Sequence, residues 1–381
     1  LPKDENENRG DPHRDSDGDL YAIFEDLATA WTEAALSADL SSTERQIWID
    51  KLERWEGEVM DYAGEEVFAT AQEALRQGWD YAPLVRVLRD GEITRDGAWE
   101  SWQEAPWYAD DLAIARLNVL ERQNRHQEYL YLAEAEGQTA RYVTKLVELG
   151  QVQDAMDYAQ EYMVSNEVAL ALAKALHAHG HLDEALRIAE RGLNLEGAHE
   201  MHLAVWLREV AEDAGKSELA LRAAVISFKA SPSLDAYQQV QRLAEEQDRW
   251  ETLREKLLEV VRQRPKVFSS NAVDVFLYED LIDEAIQALG QYPYYDTVER
   301  VVDAAIDTHP DWCIQACKAQ AEPIMDQGKS KHYHHAARWV EKAKAAYTAA
   351  GREDAWCTYL DSLLDKHSRK YKLVPMLEAL G

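Results

Sequence analysis

Cysteine and histidine side chains near the end of the chain could ligate a metal. Cys313 and Cys317 are four residues apart, so a helix places both thiols on one face. Four histidines occur near them in the sequence: His309, His332, His334 and His335. Thiolates and imidazoles are the usual ligands of zinc. The same segment also carries Trp312, Ile314 and Ala316, and a cysteine pair in such a helix is commonly a small buried apolar pair. We therefore predict no metal site and no other cofactor.

A second group of imidazoles lies in the sequence HAHGH. His177 and His181 are four residues apart, but Gly180 interrupts the helix between them. No carboxylate or thiol is placed to complete a zinc site there. We predict that these histidines are exposed residues of a turn.

The sequence lacks the common catalytic motifs. It contains no glycine-rich phosphate loop, no Gly-x-Ser-x-Gly, no His-Glu-x-x-His and no dinucleotide-binding fingerprint. Adjacent acidic residues such as Asp110 and Asp111 point about 100° apart on a helix, so they do not converge on one substrate. The prediction is a protein without enzymatic activity, whose acidic pairs form solvated helix faces.

The chain is strongly acidic. It has 71 acidic and 41 basic residues, a net charge of −30. A field of this sign repels phosphate backbones and anionic membranes, so we predict no direct nucleic-acid binding and no membrane partner. The charge either confers solubility alone or provides an acidic face for a basic partner. The basic segment from Lys366 to Lys372 is interpreted as a solvated helix end, with contact to nucleic acid as the alternative.

Cysteine usage and hydropathy indicate the cellular setting. Three cysteines cannot form a closed set of disulfides, and no apolar run approaches the roughly 18–20 residues of a spanning helix. These features predict a cytoplasmic protein. The chain begins without Met and with a run of charged residues. We expect a disordered acidic tail over residues 1–18, and we expect the chain to be part of a longer protein or a trimmed form of one.

The strongest regularity in the sequence is a glycine followed after five and nine residues by alanines. It occurs three times, at spacings of 30 and 35 residues: Gly150, Ala155, Ala159; Gly180, Ala185, Ala189; and Gly215, Ala220, Ala224. A repeat of about 34 residues holds two helices and a turn, and each pair must stack on a neighbour to bury its apolar face. The pattern predicts an all-α fold, specifically a right-handed α-solenoid of helix pairs.

Each residue type in the repeat has a physical role. Glycine permits the left-handed backbone that ends a helix, and the small alanines let the second helix lie close to the first. Looser copies are formed by Asn124, Tyr129 and Ala133 and by Asp280, Ala285 and Leu289. A further copy is expected near Thr252, which follows Ala220 by 32 residues.

The region before the repeats is predicted to be a helical N-terminal subdomain over residues 19–107. Ser41 and Glu44 offer an N-cap to a helix with regularly spaced apolar residues. Glycine, proline and tryptophan collect in the connections around Trp79 and from Gly91 to Trp107. The helix pairs are predicted to occupy residues 108–381, with divergent capping helices at the C terminus.

Aromatic residues are candidates for partner binding, because amphipathic rings favour interface hot spots. The predicted partner-binding residues are Trp99, Trp102, Tyr131, Glu167, Lys174, Arg208 and Tyr237, the last four as the lining of a surface formed by successive first helices. The alternative is that the tryptophans near residue 100 cap the junction with the repeats. We expect Trp107 and Tyr129 to be core residues.

The repeats resemble tetratricopeptide-type (TPR) repeats in their turn glycine and paired small residues. The first-helix signature of that family is poorly kept, since Ala169, Leu172 and Ala173 stand where Trp, Leu and Gly are expected. The predicted fold is therefore a solenoid of TPR-like helix pairs.

Two segments, Ala105–Gly137 and His332–Leu380, resemble the helical region that follows the finger in bacterial, especially cyanobacterial, SWIM zinc-finger proteins. The chain has no Cys-x-Cys, so the likeness concerns the C-terminal region alone, and zinc is expected only in a finger upstream. The resemblance implies a non-enzymatic interaction scaffold or adaptor in nucleic-acid-associated complexes, with an ATPase or a nucleoprotein as partner. The alternative is a regulatory solenoid that senses a ligand or a peptide.

Overall fold

The computed structural model describes residues 16–63, 67–91, 97–99, 106–264, 269–290 and 294–381. These residues contain 21 α-helices and one short 3-10 turn. The described part of the chain has no β-strand, and Ser165 and Glu196 form one isolated bridge. The prediction of an all-α fold is confirmed. The solenoid and its handedness stay predictions.

The chain divides into two compact units, residues 1–198 and residues 199–381. The helices of the first unit are α1 (Ser16–Ser37), α2 (Ser42–Ala63), α3 (Ala69–Gln77), α4 (Ala82–Asp90), α5 (Ala109–Arg122), α6 (His126–Ala135), α7 (Thr139–Glu148), α8 (Val152–Tyr162), α9 (Asn166–Ala178) and α10 (Leu182–Gly192). Helix α5 packs on α1 and α3, and α6 packs on α4. The predicted boundary at residue 107 falls within the first unit, and the division at that residue stays a prediction.

The second unit contains the remaining helices. They are α11 (Glu200–Asp213), α12 (Ser217–Ala230), α13 (Leu234–Glu245), α14 (Trp250–Arg262), α15 (Ser269–Tyr278), α16 (Ile282–Ala288), α17 (Tyr295–Ala305), α18 (Pro310–Asp326), α19 (Tyr333–Ala349), α20 (Glu353–Lys366) and α21 (Val374–Glu378). Its largest apolar cluster forms around Trp339 on α19, which is fully buried. This unit therefore has a core of its own.

Helix α1 starts inside the predicted tail. Residues 16–18 belong to α1, whereas residues 1–15 lie outside the described residues. The cap predicted for the second helix is confirmed, because Ser41 N–H donates to Glu44 Oε2 at 2.9 Å and Glu44 N–H donates to Ser41 Oγ at 3.4 Å. This reciprocal pair satisfies two backbone donors at the start of α2.

The repeat glycines lie in the turns that the sequence predicts. Gly150, Gly180 and Gly215 have φ values of 76°, 84° and 67°. The next backbone N–H donates back across the turn; that of His181, for example, donates to the Leu176 carbonyl at 2.9 Å. This bond closes a Schellman motif, which satisfies carbonyl groups at the end of the first helix.

Three residues other than glycine occupy the same turn position. Asn124, Asp248 and Asp280 have φ values of 56°, 54° and 60°. Asp248 follows Gly215 at repeat spacing, so the copy that the sequence placed near Thr252 starts its second helix with Trp250, and Thr252 itself is exposed. Asparagine and aspartate tolerate the left-handed region better than other residues with a side chain. Asp248 follows Gly215 by 33 residues and Asp280 follows Asp248 by 32, so an aspartate at the repeat spacing also indicates a turn.

The paired alanines pack the two helices of each repeat together. All six are buried, with at most 2% exposure: Ala155, Ala159, Ala185, Ala189, Ala220 and Ala224. Helix α9 packs on α10, and α11 packs on α12. First helices of neighbouring pairs also pack within each unit, α7 on α9 and α13 on α15. The close approach that the small residues predict is confirmed.

Replacement of glycine by alanine is expected to lower the free energy of unfolding in a repeat turn and to raise it inside a helix. Gly215→Ala places a Cβ in open space but at φ 67°, so we expect a loss of about 1–2 kcal/mol in the free energy of unfolding. Gly57→Ala, at an exposed position inside α2, should instead gain about 0.5–1 kcal/mol, because alanine favours helix. Urea titration measures both values, and equal effects of the two substitutions would contradict the assigned turn.

Candidate interaction surfaces

The predicted lining residues on the first helices do not share one environment. Glu167 and Lys174 are both exposed on α9. Arg208 on α11 is half-buried, and its guanidinium donates to Glu212 at 2.7 Å and to Glu209 at 2.9 Å. The side chains of Glu167 and Lys174 are therefore accessible to a partner, whereas the charge of Arg208 is held by its own helix. Partner binding by these residues stays a prediction.

Tyr237 does not line a surface. Its side chain is fully buried, and its hydroxyl donates to Glu279 Oε1 at 2.8 Å. The ring contacts Phe228 and Trp250, with centroid distances of 5.7 and 5.4 Å. Its assignment to the lining is corrected, because this face of α13 packs against neighbouring helices.

The predicted aromatic residues near the junction have unequal exposure. Trp99 is half-buried against a cluster containing Leu36 and Leu112. The ring of Tyr131 covers Gly91, where an added Cβ would lie 2.7 Å from Tyr131 Cε1. Trp102 lies outside the described residues. Partner binding by Trp99 and Tyr131 and the alternative capping role of the tryptophans near residue 100 both stay predictions.

Trp107 and Tyr129 were both expected in the core. Tyr129 is buried, with 6% exposure, which confirms the expectation. Trp107 is 68% exposed, so its expected place in the core is wrong. Among the described ring pairs, its one contact is an edge-on contact with the Tyr108 ring, at a centroid distance of 5.4 Å. It stands in the turn before α5, where helical periodicity does not determine the direction of a side chain.

Three tyrosine rings contact one another on α7 and α8. The ring centroid of Tyr158 lies 4.5 Å from that of Tyr142 and 4.6 Å from that of Tyr162. Tyr162 is 47% exposed, and the nearby Val164 is 75% exposed. Burial and the neighbouring Glu134 carboxylate raise the pKa of Tyr142 to about 12, so its hydroxyl is protonated at neutral pH. We call Tyr142, Tyr158, Tyr162 and Val164 the tyrosine patch.

An apolar pocket opens among the first three helices. Its volume is 290 Å³, and it is lined by Trp31, Ala34, Ala35, Ala38, Leu40, Trp48, Leu52 and Leu75. The Trp31 ring lies 5.2 Å from Trp48 and 5.5 Å from Trp55, between ring centroids. We call this site the tryptophan pocket. Trp48 and Trp55 are seven residues apart and therefore lie on one face of α2, but no spacing in the sequence indicates the space between the helices.

Ion pairs join successive first helices in the second unit. The pairs are Arg242 with Glu212, Arg300 with Asp274, and Lys342 with Glu299. They link α13 to α11, α17 to α15, and α19 to α17. Partly exposed pairs of this kind contribute little to stability, each about 0–1 kcal/mol.

The structure places the two cysteines in the core and the histidines of the sequence HAHGH at a turn. Cys313 and Cys317 are fully buried, and burial raises the pKa of each thiol to about 12, so they are not thiolates at neutral pH. His177 and His179 are exposed and His181 is half-buried, beside the turn at Gly180. Within the described ranges, no three side chains of metal-binding type come together.

The basic segment at the end of α20 is partly paired. Lys366 binds Asp326 at 3.0 Å, and Lys370 donates to the Met325 carbonyl. Arg369 is exposed, and Tyr371 is 79% exposed. Two of its cations therefore fasten the segment to α18.

No helix in the described part of the chain has the length and apolar character needed to cross a membrane.

The fold and these surfaces define an all-α protein of packed helix pairs with accessible aromatic sites. Comparison with protein-family models and with curated protein sequences gives no match to this chain. The relationship to SWIM zinc-finger proteins therefore stays a prediction from the two sequence segments.

Proposed function

We propose that this chain is a non-enzymatic scaffold that binds another protein. The tyrosine patch is the observation that supports this function most directly. Tyr162 and Val164 present apolar surface to solvent, and the tyrosine rings in contact with each other give the patch amphipathic contact area. Tyrosine in such a setting is typical of interface hot spots, because it buries a large area with little loss of side-chain entropy.

The wider role that we propose is that of an adaptor in nucleic-acid-associated complexes of the bacterial cytoplasm. The resemblance to the region following the SWIM zinc finger supports this role, with an ATPase or a nucleoprotein as the partner. The net charge of −30 disfavours direct contact of this chain with phosphate backbones. In this proposal a separate segment contacts DNA, and the present chain recruits the partner.

Quantitative affinity capture from the native host tests the scaffold function. The purified chain is compared with a Tyr162→Ser, Val164→Ser double variant and with Tyr371→Ser, which removes a ring from the second unit that is more exposed than Tyr162, 79% against 47%. We expect one defined partner whose recovery falls about 10-fold in the double variant and is unchanged in the control. A partner retained equally by all three proteins would contradict a role for the tyrosine patch, and recovery of none would contradict the scaffold.

The second candidate function is regulation by a bound ligand or peptide, and the tryptophan pocket favours it. Its volume of 290 Å³ is close to the lower limit of about 300 Å³ for small-molecule sites. A metabolite that raises the melting temperature, in the absence of any captured protein, would support this function over the scaffold.

A further inference from the structure

We propose that the tryptophan pocket receives one bulky apolar side chain from a basic segment of a protein partner. This inference rests on the proposed scaffold function and specifies the chemistry of the partner. The tryptophan pocket lies in the first unit and shares no residue with the tyrosine patch.

The lining of the pocket disfavours water as its occupant. All of the lining residues are Trp, Leu or Ala, and none has a charged group or a hydroxyl. A water molecule is retained in a cavity when it finds two to four polar partners. Apolar surface left open to solvent is therefore available to an apolar group, at about 25 cal/mol per Å² of area that is removed from water.

The size of the pocket suits a single large side chain. A cavity of about 150 Å³ accommodates benzene, and the tryptophan pocket measures 290 Å³. A phenylalanine, tryptophan or leucine side chain enters such a space without rearrangement of the walls. Metabolite sites in addition carry a few placed polar groups that fix the orientation of the ligand. The indole N–H groups of Trp31 and Trp48 are the only polar side-chain groups among the lining residues, and neither can accept a hydrogen bond or carry a charge. The orientation of the occupant must therefore come mainly from contacts outside the pocket, as it does for the anchor residue of a protein partner.

The walls are held in place by contacts around the pocket. Trp31 and Trp48 contact each other and Trp55, so neither ring can rotate freely. Trp79 Nε1 donates to the Leu36 carbonyl at 2.8 Å and fixes the end of α1. A preformed pocket lowers the entropic cost of binding, which is a property of interface hot spots.

The charge around the pocket selects a basic partner. Between residues 31 and 54 the chain has five carboxylates and three basic side chains. Two of the three cations are engaged, since Arg45 binds Asp80 at 2.7 Å and the Lys51 ammonium lies 4.2 Å from the centre of the Trp48 ring. Two of the five carboxylates are paired as well, Glu33 with Arg122 and Glu53 with Arg76. Asp39 and Asp50 are exposed. With the net charge of −30, this region attracts a positively charged segment, and the pocket supplies its apolar anchor site.

A pair of synthetic peptides separates the anchor from the charge. The probe is a fluorescein-labelled Lys/Ala helix of about 16 residues with one central phenylalanine. The control peptide has alanine in place of that phenylalanine. Fluorescence anisotropy measures both affinities. We expect the phenylalanine peptide to bind the intact chain about 10-fold more tightly, a difference of about 1.4 kcal/mol, because the anchor ring leaves water when it enters the pocket.

Filling the pocket should remove that preference. Ala38→Trp adds an indole at an exposed lining position, and Ala34→Leu fills the same space if the first variant does not fold. Ala304→Trp makes the matched change at an exposed position of α17. We expect equal binding of the two peptides by the filled variant and an unchanged 10-fold preference in the Ala304 control.

Three results would overturn the proposal: no preference for the phenylalanine peptide, a preference that survives in the filled variant, or loss of the preference in the Ala304 control. Stabilisation by naphthalene with no gain from the phenylalanine anchor would identify a small-molecule site instead. Affinity capture through the tyrosine patch uses different residues. Failure of the pocket and failure of the scaffold function are therefore distinguishable.

Discussion

Replacement of Arg116 by alanine is expected to lower the free energy of unfolding by about 3–5 kcal/mol. Arg116 is a charged residue in the core of the first unit, with 1% exposure. One guanidinium nitrogen donates to Gln77 Oε1 at 2.6 Å. Burial lowers the pKa of Arg116 to about 10, so it remains charged at neutral pH, and the carboxylates of Glu136 and Glu73 favour that charge. Truncation leaves a cavity, an unsatisfied amide oxygen and a less compensated carboxylate.

Two further substitutions separate charge from packing at this position. Arg116→Met retains most of the volume and removes the buried charge, so its cost should be smaller than that of alanine. Arg86→Ala, at an exposed position of α4, should change stability by no more than about 0.5 kcal/mol. Urea unfolding followed by circular dichroism gives all three values. Equal costs for Arg116→Ala and Arg86→Ala would contradict the buried network.

The position of Arg116 could have been found from periodicity. It lies four residues after Leu112 and four before Leu120, both of which are fully buried. The helical period therefore places the arginine on the core face of α5. Residue type gives the opposite answer, because a lone arginine is normally assigned to solvent. The periodic position prevailed because Gln77, on a different helix, provides a hydrogen-bond acceptor.

The turns and the close helix pairs were predictable because they depend on residues near each other in sequence. Gly180 with Ala185 encodes a left-handed turn followed by a small contact residue. Ser41 with Glu44 encodes a capping box in the same way. Asp248 follows the same rule, but a pattern restricted to glycine misses it.

The surfaces were less predictable because they combine distant residues. The tryptophan pocket brings Trp31, Trp48 and Leu75 together from three helices, and its volume depends on how those helices pack. No spacing along one helix contains that information. The tyrosine patch is intermediate: Tyr158 and Tyr162 are four residues apart on α8, which places them on one face, whereas Tyr142 joins them from α7.

Tyr237 provides the second large effect, and it distinguishes a core residue from the lining residue that the sequence suggested. Tyr237→Ala should lower the free energy of unfolding by about 3–5 kcal/mol, because it empties a fully buried site. Tyr237→Phe should cost about 1–2 kcal/mol, since it removes only the hydrogen bond to Glu279, a carboxylate that Arg254 also binds at 2.5 Å. Tyr371→Ala, at a 79% exposed ring, is the control and should change stability by at most about 0.5 kcal/mol. Urea titration of the three variants measures these differences, and a Tyr237→Ala protein as stable as the control would show that the ring lies on a surface after all.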